Sequence, residues 1–174
     1  QDGRGTSKFF NVEKKIDLYI SSLSKGLGSF GGYTAGKKNL IDLCINTSKT
    51  FIYTSALPAS INQYSLQKLE SDRETYRKKV WKKINLFHKR LDEIELSTTS
   101  TSQIIPIIIG KEKTAIEFSK FLKKNGIFAQ AIRYPTVKKA EARIRVSITG
   151  WLSENEIEYS IQVLEKAKKK FNLK

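Results

Sequence analysis

Methionine is absent from these 174 residues, and cysteine and histidine occur once each, as Cys44 and His88. A single cysteine excludes an intrachain disulfide, and with a single histidine it removes the ligand sets that hold structural zinc, so no metal is expected. No apolar run reaches the roughly 18 residues that a bilayer span needs, and no charged-then-apolar leader is present. A soluble chain without a membrane partner is therefore expected. Cys44 lies inside Leu40-Ile41-Asp42-Leu43-Cys44-Ile45 and reads as a buried small apolar residue, which suits the reducing cytoplasm. With no methionine anywhere, Gln1 reads as an internal position of a longer polypeptide rather than a natural start.

Acidic side chains are scarce as well, 17 against 32 basic ones, for a formal net charge of +15. Such a charge raises nucleic acid as a partner. The excess is spread along the chain: 8 basic and 4 acidic residues in 1–58, 9 and 6 in 59–103, 15 and 7 in 104–174. The lysine pairs Lys78-Lys79 and Lys82-Lys83 and the run Lys166-Ala167-Lys168-Lys169-Lys170 fall on the polar sides of helical patterns, where a solvated face explains them. No zinc-finger spacing or RNA-binding aromatic signature accompanies them, so no nucleic acid partner is expected.

Several elements follow from periodicity. Leu18-Tyr19-Ile20 reads as a short buried strand, residues 37–48 as a short helix, and Thr50-Phe51-Ile52-Tyr53 as a strand. Pro58 suits the first turn of a new helix. From there to about Leu96 the pattern is helical, with Tyr76, Val80, Ile84, Phe87, Leu91 and Ile94 three or four apart on one side. His88 falls off that stripe and reads as exposed surface. The Ser/Thr run Ser97–Ser102 is a loop opening a second unit. In that unit Ile104–Ile109 is a strand, Lys111–Lys124 a helix closed by Asn125-Gly126, and Ile127–Ile132 and Arg143–Ile148 are strands. Ser153 and Glu156 have capping-box spacing ahead of a helical stripe of Ile157, Ile161, Leu164, Ala167 and Phe171. Strand, helix, strand, strand, helix describes a small α+β domain with helices on one sheet face.

Chemistry concentrates in Ser21-Ser22-Leu23-Ser24-Lys25-Gly26-Leu27-Gly28-Ser29-Phe30-Gly31-Gly32-Tyr33. One lysine stands between a hydroxyl cluster and the four glycines of this run, just after an apolar segment. Hydroxyls and free backbone N–H groups at such a turn hold phosphate, and glycines let the backbone approach a flat ring. A lysine placed there can form a Schiff base with pyridoxal phosphate. Spacing alone leaves a flexible Gly/Ser loop with a surface lysine as an equal reading.

This run resembles the cofactor-lysine segment of the α-oxoamine synthases, pyridoxal-phosphate enzymes of the aspartate-aminotransferase fold type. Ser22-Leu23-Ser24-Lys25-Gly26 and Gly31-Gly32-Tyr33 carry the match, with serine in place of the usual threonine. Further blocks follow in family order: Asp2-Gly3-Arg4-Gly5 before the lysine strand, Phe51–Pro58, Ile104–Gly110, Ala131–Val137, and Ala142-Arg143-Ile144-Arg145. Within the family, Ile104–Gly110 and Ala131–Val137 are most similar to the branch that makes 8-amino-7-oxononanoate for biotin. Tyr134, Lys138-Lys139-Ala140 and Gly150-Trp151 depart from that branch's pattern.

The resemblance implies a fold-type I pyridoxal-phosphate transferase of α/β class, represented by the end of its large cofactor domain (1–58), connecting helices (59–96) and the small C-terminal α+β domain (97–174). It implies that further family elements, an aspartate for the pyridine nitrogen and a histidine stacked on the ring, precede Gln1. It implies decarboxylative condensation of L-alanine with a pimeloyl group carried on coenzyme A or on acyl-carrier protein, in a homodimer with its active site at the interface. Lys25 is implied as the cofactor lysine and catalytic base, Ser22 as a phosphate hydroxyl, Thr54 and Ser55 as phosphate contacts across the dimer, and Thr136 as lining the acyl entrance. Arg145 is implied as the substrate-carboxylate arginine. Arg143 lies two residues away on the same strand face, and strand geometry does not rank the two. The alternatives are glycine C-acetyltransferase, which differs in amino acid and acyl length, and a non-catalytic module.

Overall fold

The computed structural model describes residues 5–96 and 98–173. Asp2, Gly3 and Arg4 of the first family-like block, and Ser97 of the Ser/Thr run, lie outside the described residues. The chain divides into two units, one up to Glu74 and one from Thr75. Among the described residues no helix is long and apolar enough to cross a membrane.

The first unit begins with a single helical turn α1 (Thr6–Phe9) and a 3-10 turn over Glu13–Lys15. An antiparallel hairpin follows, β1 (Leu18–Ser22) and β2 (Gly32–Gly36), in the register Leu18↔Gly36 to Ser22↔Gly32. Helices α2 (Lys38–Thr47), α3 (Lys49–Ile52) and α4 (Ala59–Glu70) complete it. The helix expected over 37–48 is thus α2. Three expectations fail in this unit. Residues 50–53 are not a strand: Ser48 O accepts from the N–H of Phe51 and of Ile52, closing a short helix where no neighbouring strand offers a ladder. β1 is not buried, because a two-stranded ribbon has no layer of its own to cover it, and Ile20 is 75% exposed. Cys44 is half-buried rather than buried. Ser65 is the one described residue of the unit that is buried, and it is polar.

The second unit has a core of its own. It opens with the bulk of α5 (Arg73–Glu93), then β3 (Ile104–Gly110), α6 (Glu112–Lys124), β4 (Gln130–Ile132), β5 (Ala142–Ser147) and α7 (Glu154–Phe171). Both strand pairs are antiparallel in the order β3-β5-β4, so β5 is central. Because side chains alternate along a strand, Ile105 and Ile107 of β3 and Ala142 and Ile144 of β5 share the covered face. They meet Phe118 and Leu122 of α6 and Ile157, Ile161 and Leu164 of α7. The α5 stripe enters the same core at Ile84, Phe87 and Leu91, with Val80 and Ile94 packed beside it. Tyr76, expected at the head of that stripe, is exposed in the first turns of α5. His88 is half-buried, not on open surface, and its Nε2 is buried without a hydrogen-bond partner among the described residues.

The helix ends of this unit follow from local chemistry. At α7, the Ser153 hydroxyl accepts from the Glu156 N–H and the Glu156 carboxylate accepts from the Ser153 N–H, the capping box read from spacing. α6 ends with the Gly126 N–H on Lys123 O and the Ile127 N–H on Leu122 O, which needs the left-handed Gly126 at φ 77°. That closure uses Ile127, and the strand expected from Ile127 begins only at Gln130. Lys168 of α7 reaches back to the end of α5, donating to Ile94 O and pairing with Glu95 at 2.8 Å. That contact holds the Glu95 carboxyl below its usual range.

Candidate active site

The β1–β2 hairpin delivers the lysine. Beyond the last strand pair, the Leu23 N–H donates to Gly31 O at 2.9 Å and the Ser29 N–H donates to Leu23 O at 2.9 Å. These bonds draw residues 23–31 into a closed loop. Gly28 and Gly31 have φ of 65° and 90°, a region that an L side chain rarely enters. The Gly28 N–H donates to Lys25 O at 2.9 Å, which turns the chain so that Lys25 stands exposed on the loop. Lys25 has no carboxylate partner among the described residues. Ser22 and Ser24 flank it on the strand side, with their hydroxyls 2.7 Å apart and the Ser24 N–H donating to Ser22 Oγ at 3.2 Å. The candidate phosphate hydroxyl is therefore one of a hydrogen-bonded pair, both exposed.

A second bond fixes the far side of the loop. Ser29 Oγ lies 2.7 Å from Ser65 Oγ on α4. Ser65 donates its own hydroxyl proton to Ile61 O at 2.8 Å, so Ser29 is the donor to Ser65. Nothing in the sequence marks Ser65, a serine within a polar helix, as the anchor of the lysine loop. Thr54 and Ser55 are exposed in the turn between α3 and α4. Thr54 lines a groove of about 480 Å³ with Ile45, Phe51, Ile52, Leu57 and Asn62. Leu57, three residues from Thr54, packs against the lysine loop: a Cβ built on Gly31 would fall 2.7 Å from Leu57 Cδ1. The structure thus brings Ser22, Ser24 and Lys25 together and packs Leu57, which follows the Thr54-Ser55 segment, against Gly31 at the base of the same loop.

In the second unit, β5 presents Arg143 and Arg145 on the sheet face opposite Ile144. Their cross-strand neighbours there are Ile108 and Ile132 for Arg143, and Pro106 and Gln130 for Arg145. The two arginines differ in what they touch. Arg143 donates from Nε to Glu141 O and pairs through its terminal nitrogen with the Glu141 carboxylate, both at 3.0 Å. Arg145 is exposed and without an ion pair among the described residues, its planar donor fork free for a carboxylate. Thr136 is exposed in the loop after β4, where its N–H donates to Arg133 O at 2.9 Å.

A family model described as aminotransferase class I and II matches residues 2–164. The chain belongs to that family. Among curated relatives, it is 35% identical to an 8-amino-7-oxononanoate synthase of Thermoanaerobacter pseudethanolicus and 32% identical to 8-amino-7-oxononanoate synthase 1 of Bacillus subtilis. Each match takes in 99% of this chain and 45% of the relative, so the chain spans about half the length of the curated relatives it matches. Among solved structures it is similar to a serine palmitoyltransferase from S. paucimobilis with a bound PLP–myriocin aldimine, at TM-score 0.89 and 17% identity over 99% of this chain and 45% of that one. It is also similar to 8-amino-7-oxononanoate synthase from Francisella tularensis, at TM-score 0.84 and 24% identity over 99% and 52%. The fold is therefore that of the C-terminal portion of a fold-type I transferase, and the resemblance read from the ordered blocks stands. For this aminotransferase-family chain the donor set also fits the cofactor class. An amine and two mutually bonded hydroxyls within four residues suit a ligand that offers an aldehyde and a phosphate.

Proposed function

We propose that the chain is the C-terminal portion of a pyridoxal-phosphate-dependent α-oxoamine synthase that condenses L-alanine with a pimeloyl thioester, releasing carbon dioxide, to give 8-amino-7-oxononanoate. The observation that carries this reading is the clustering of Ser22, Ser24 and Lys25 on one hairpin, in a chain whose relatives bear that name at 32–35% identity. In this reading residues 1–58 finish the large cofactor domain, 59–96 connect, and 97–174 form the small domain.

Pyridoxal phosphate, when bound, supplies an electron sink that makes the amino acid Cα–H acidic. The rest is the work of the chain. Lys25 Nζ would hold the cofactor aldehyde, and the same amine would serve as the base for the Cα proton. Ser22 donates its hydroxyl to the phosphate, and Ser24 orients that hydroxyl. Thr54 and Ser55 add phosphate donors across a homodimer interface. Arg145 grips the amino-acid carboxylate through two parallel N–H donors and so fixes the direction of the Cα–H bond, a reading supported by the pairing of Arg143 with Glu141. Thr136 lines the acyl entrance. A single cysteine suits work in the cytoplasm.

The test is to mix the chain with pyridoxal phosphate, reduce with borohydride, and map modified lysines by peptide mass. Selective modification of Lys25 supports the reading, whereas modification scattered over the surface lysines overturns it for this chain. Release of carbon dioxide from L-alanine and pimeloyl thioester by the complete enzyme separates this reaction from glycine acetyl transfer.

A further inference from the structure

The end of the three-stranded sheet where β3 starts and β5 stops gathers exposed aromatic side chains. Register pairs Ile104 with Ser147 and Gln130 with Arg145, so the turn before β4 and the segment after β5 emerge at this same end. Phe128 stands in that turn 86% exposed, and Trp151 in that segment 92% exposed. Tyr159 of α7 joins them, donating its hydroxyl to Asn125 O at the end of α6, 3.1 Å away. Phe128 and Trp151 are both held from behind. Ile127 and Ala129, on either side of Phe128, pack in the core, and Ala129 O accepts the Ser119 hydroxyl at 2.6 Å. Lys83 of α5 donates to Gly150 O on one side of Trp151, and Leu152 packs against the core on the other. The anchored neighbours leave the two rings in solvent. Lysines surround them. Lys123 and Lys124, at the end of α6, are exposed and without an ion pair among the described residues. Lys79, Lys82 and Lys83 come from the stretch of α5 beside the Gly150 turn, where a Cβ on Gly150 would fall 3.3 Å from Val80 Cγ2. Two carboxylates oppose these five lysines: Glu154, paired with Lys82 at 2.8 Å, and Glu156, held by the Ser153 N–H. Glu158 is cancelled by Arg90 at 2.7 Å.

We propose that this end is a peripheral docking surface for a lipid bilayer with anionic headgroups. The absence of a spanning run, which led to the expectation of no membrane partner, excludes insertion across a bilayer and not adsorption to its surface. Adsorption needs aromatic rings that enter the headgroup layer and lysines that meet its phosphates, and both are present here. The way the rings are displayed decides the class of partner. A protein partner engages aromatic anchors in well-packed pockets of matching shape, whereas these rings stand singly on separate turns. A fluid headgroup layer accepts such rings with no shape to match, and its negative charge complements the lysines. Gly150-Trp151 is also where this chain departs from the pattern of the branch it resembles, so the Trp151 anchor is a property of this chain. None of these residues is assigned to cofactor or substrate, and the proposal stands apart from the synthase reading.

The test is cosedimentation of the chain with vesicles of phosphatidylcholine alone and of phosphatidylcholine mixed with phosphatidylglycerol. Indole emission is read in parallel in a Trp81→Phe background, where Trp151 is the one remaining tryptophan. Binding to the anionic vesicles with a blue shift of Trp151 emission is expected, and little binding to the neutral ones. Trp151→Ala with Phe128→Ala should weaken binding by about tenfold or more, with thermal unfolding unchanged because both rings are in solvent. Lys123→Glu with Lys124→Glu should weaken it at low salt, the gap narrowing as salt rises. The control Ile108→Ala with Tyr134→Ala removes two exposed side chains at the opposite end of the sheet and should leave binding nearly unchanged. Failure to bind anionic vesicles, or equal losses in the control and in the Trp151–Phe128 variant, would overturn the proposal. Undiminished vesicle binding by the Trp151–Phe128 variant, matched by equal binding to heparin, would reduce the effect to overall charge and overturn it too. A blue shift that grows with chain concentration in the absence of vesicles would assign the patch to a second copy of the chain and overturn it likewise.

Discussion

Replacing Gly31 by alanine probes the joint between the lysine loop and the Thr54-Ser55 segment. Two penalties are set by the structure. A φ of 90° places a Cβ where L residues are strained, at a cost of about 1–2 kcal/mol. The same Cβ would lie 2.7 Å from Leu57 Cδ1 and 3.3 Å from Cδ2. Because the end of a leucine can rotate aside, that contact adds about 0.5–1.5 kcal/mol of off-rotamer strain rather than a backbone rearrangement. Together they come to about 1.5–3.5 kcal/mol, or roughly ten- to three-hundredfold in the population of the opened loop. The assay is hydrogen exchange at the Leu23 and Ser29 amides, the two donors that close the loop. Gly31→Ala should speed both by about that factor. Gly26→Ala should not, since a Cβ there meets nothing within 4 Å and its φ is not in the left-handed region. Adding Leu57→Ala to Gly31→Ala should recover the steric part and leave about tenfold from the backbone. Wild-type exchange in Gly31→Ala, or equal acceleration in Gly26→Ala, would refute the assignment of this glycine as the joint.

Ser65→Ala removes the acceptor for Ser29 at a cost of about 1 kcal/mol, and borohydride trapping should then modify Lys25 several-fold less selectively while thermal unfolding of the second unit is unchanged. Ser153→Ala should cost about 1 kcal/mol in urea unfolding of the second unit by uncapping α7. The Glu156 carboxyl is held below its ordinary 4.5 by the Ser153 N–H, so its contribution is in place above that value and fades as pH falls through the lower folded value. The Ser153 hydroxyl also donates to that carboxylate, and Ser153→Ala removes this bond while keeping the N–H, so the part of the deficit due to the hydroxyl should shrink over the same acidic range. Phe118→Ala opens the centre of that unit's core, where the ring is fully buried, and should cost about 3–5 kcal/mol by calorimetry. In the complete enzyme, Arg145→Ala should raise KM for the amino acid at least tenfold, and Arg143→Ala should change it little, because Arg143 is already engaged by Glu141.

The second unit was legible from pattern because its elements bury one face each. The α5 stripe from Val80 shows in sequence as a repeat every three or four residues, and the Asn125-Gly126 stop of α6 and the Ser153–Glu156 box rest on bonds within a few residues of chain. The first unit was read less well for the same reason in reverse. Phe51, Ile52 and Ile20 carry strand propensity, but propensity acts through neighbours on a pleated surface, and a two-stranded ribbon supplies few. At the site, Ser22, Lys25 and the glycines could be picked out as a motif. The choice between Arg143 and Arg145 could not, since identical side chains two apart differ only in what a folded loop brings to them. Ser65 left no trace, its role arising from a hydrogen bond across 36 positions of sequence.

The central place of β5 has a consequence for how this surface can change over generations. Held by ladders on both sides, β5 alternates Ala142, Ile144 and Val146 on the helix side with Arg143, Arg145 and Ser147 on the open side. A single-residue insertion or deletion within it would rotate every later side chain by half a turn, driving guanidinium groups among the isoleucines and leucines of the core. Substitution at 143 or 145, by contrast, leaves the ladder intact. Lineages of this chain should therefore vary the chemistry of that face one side chain at a time while keeping the length of the strand constant.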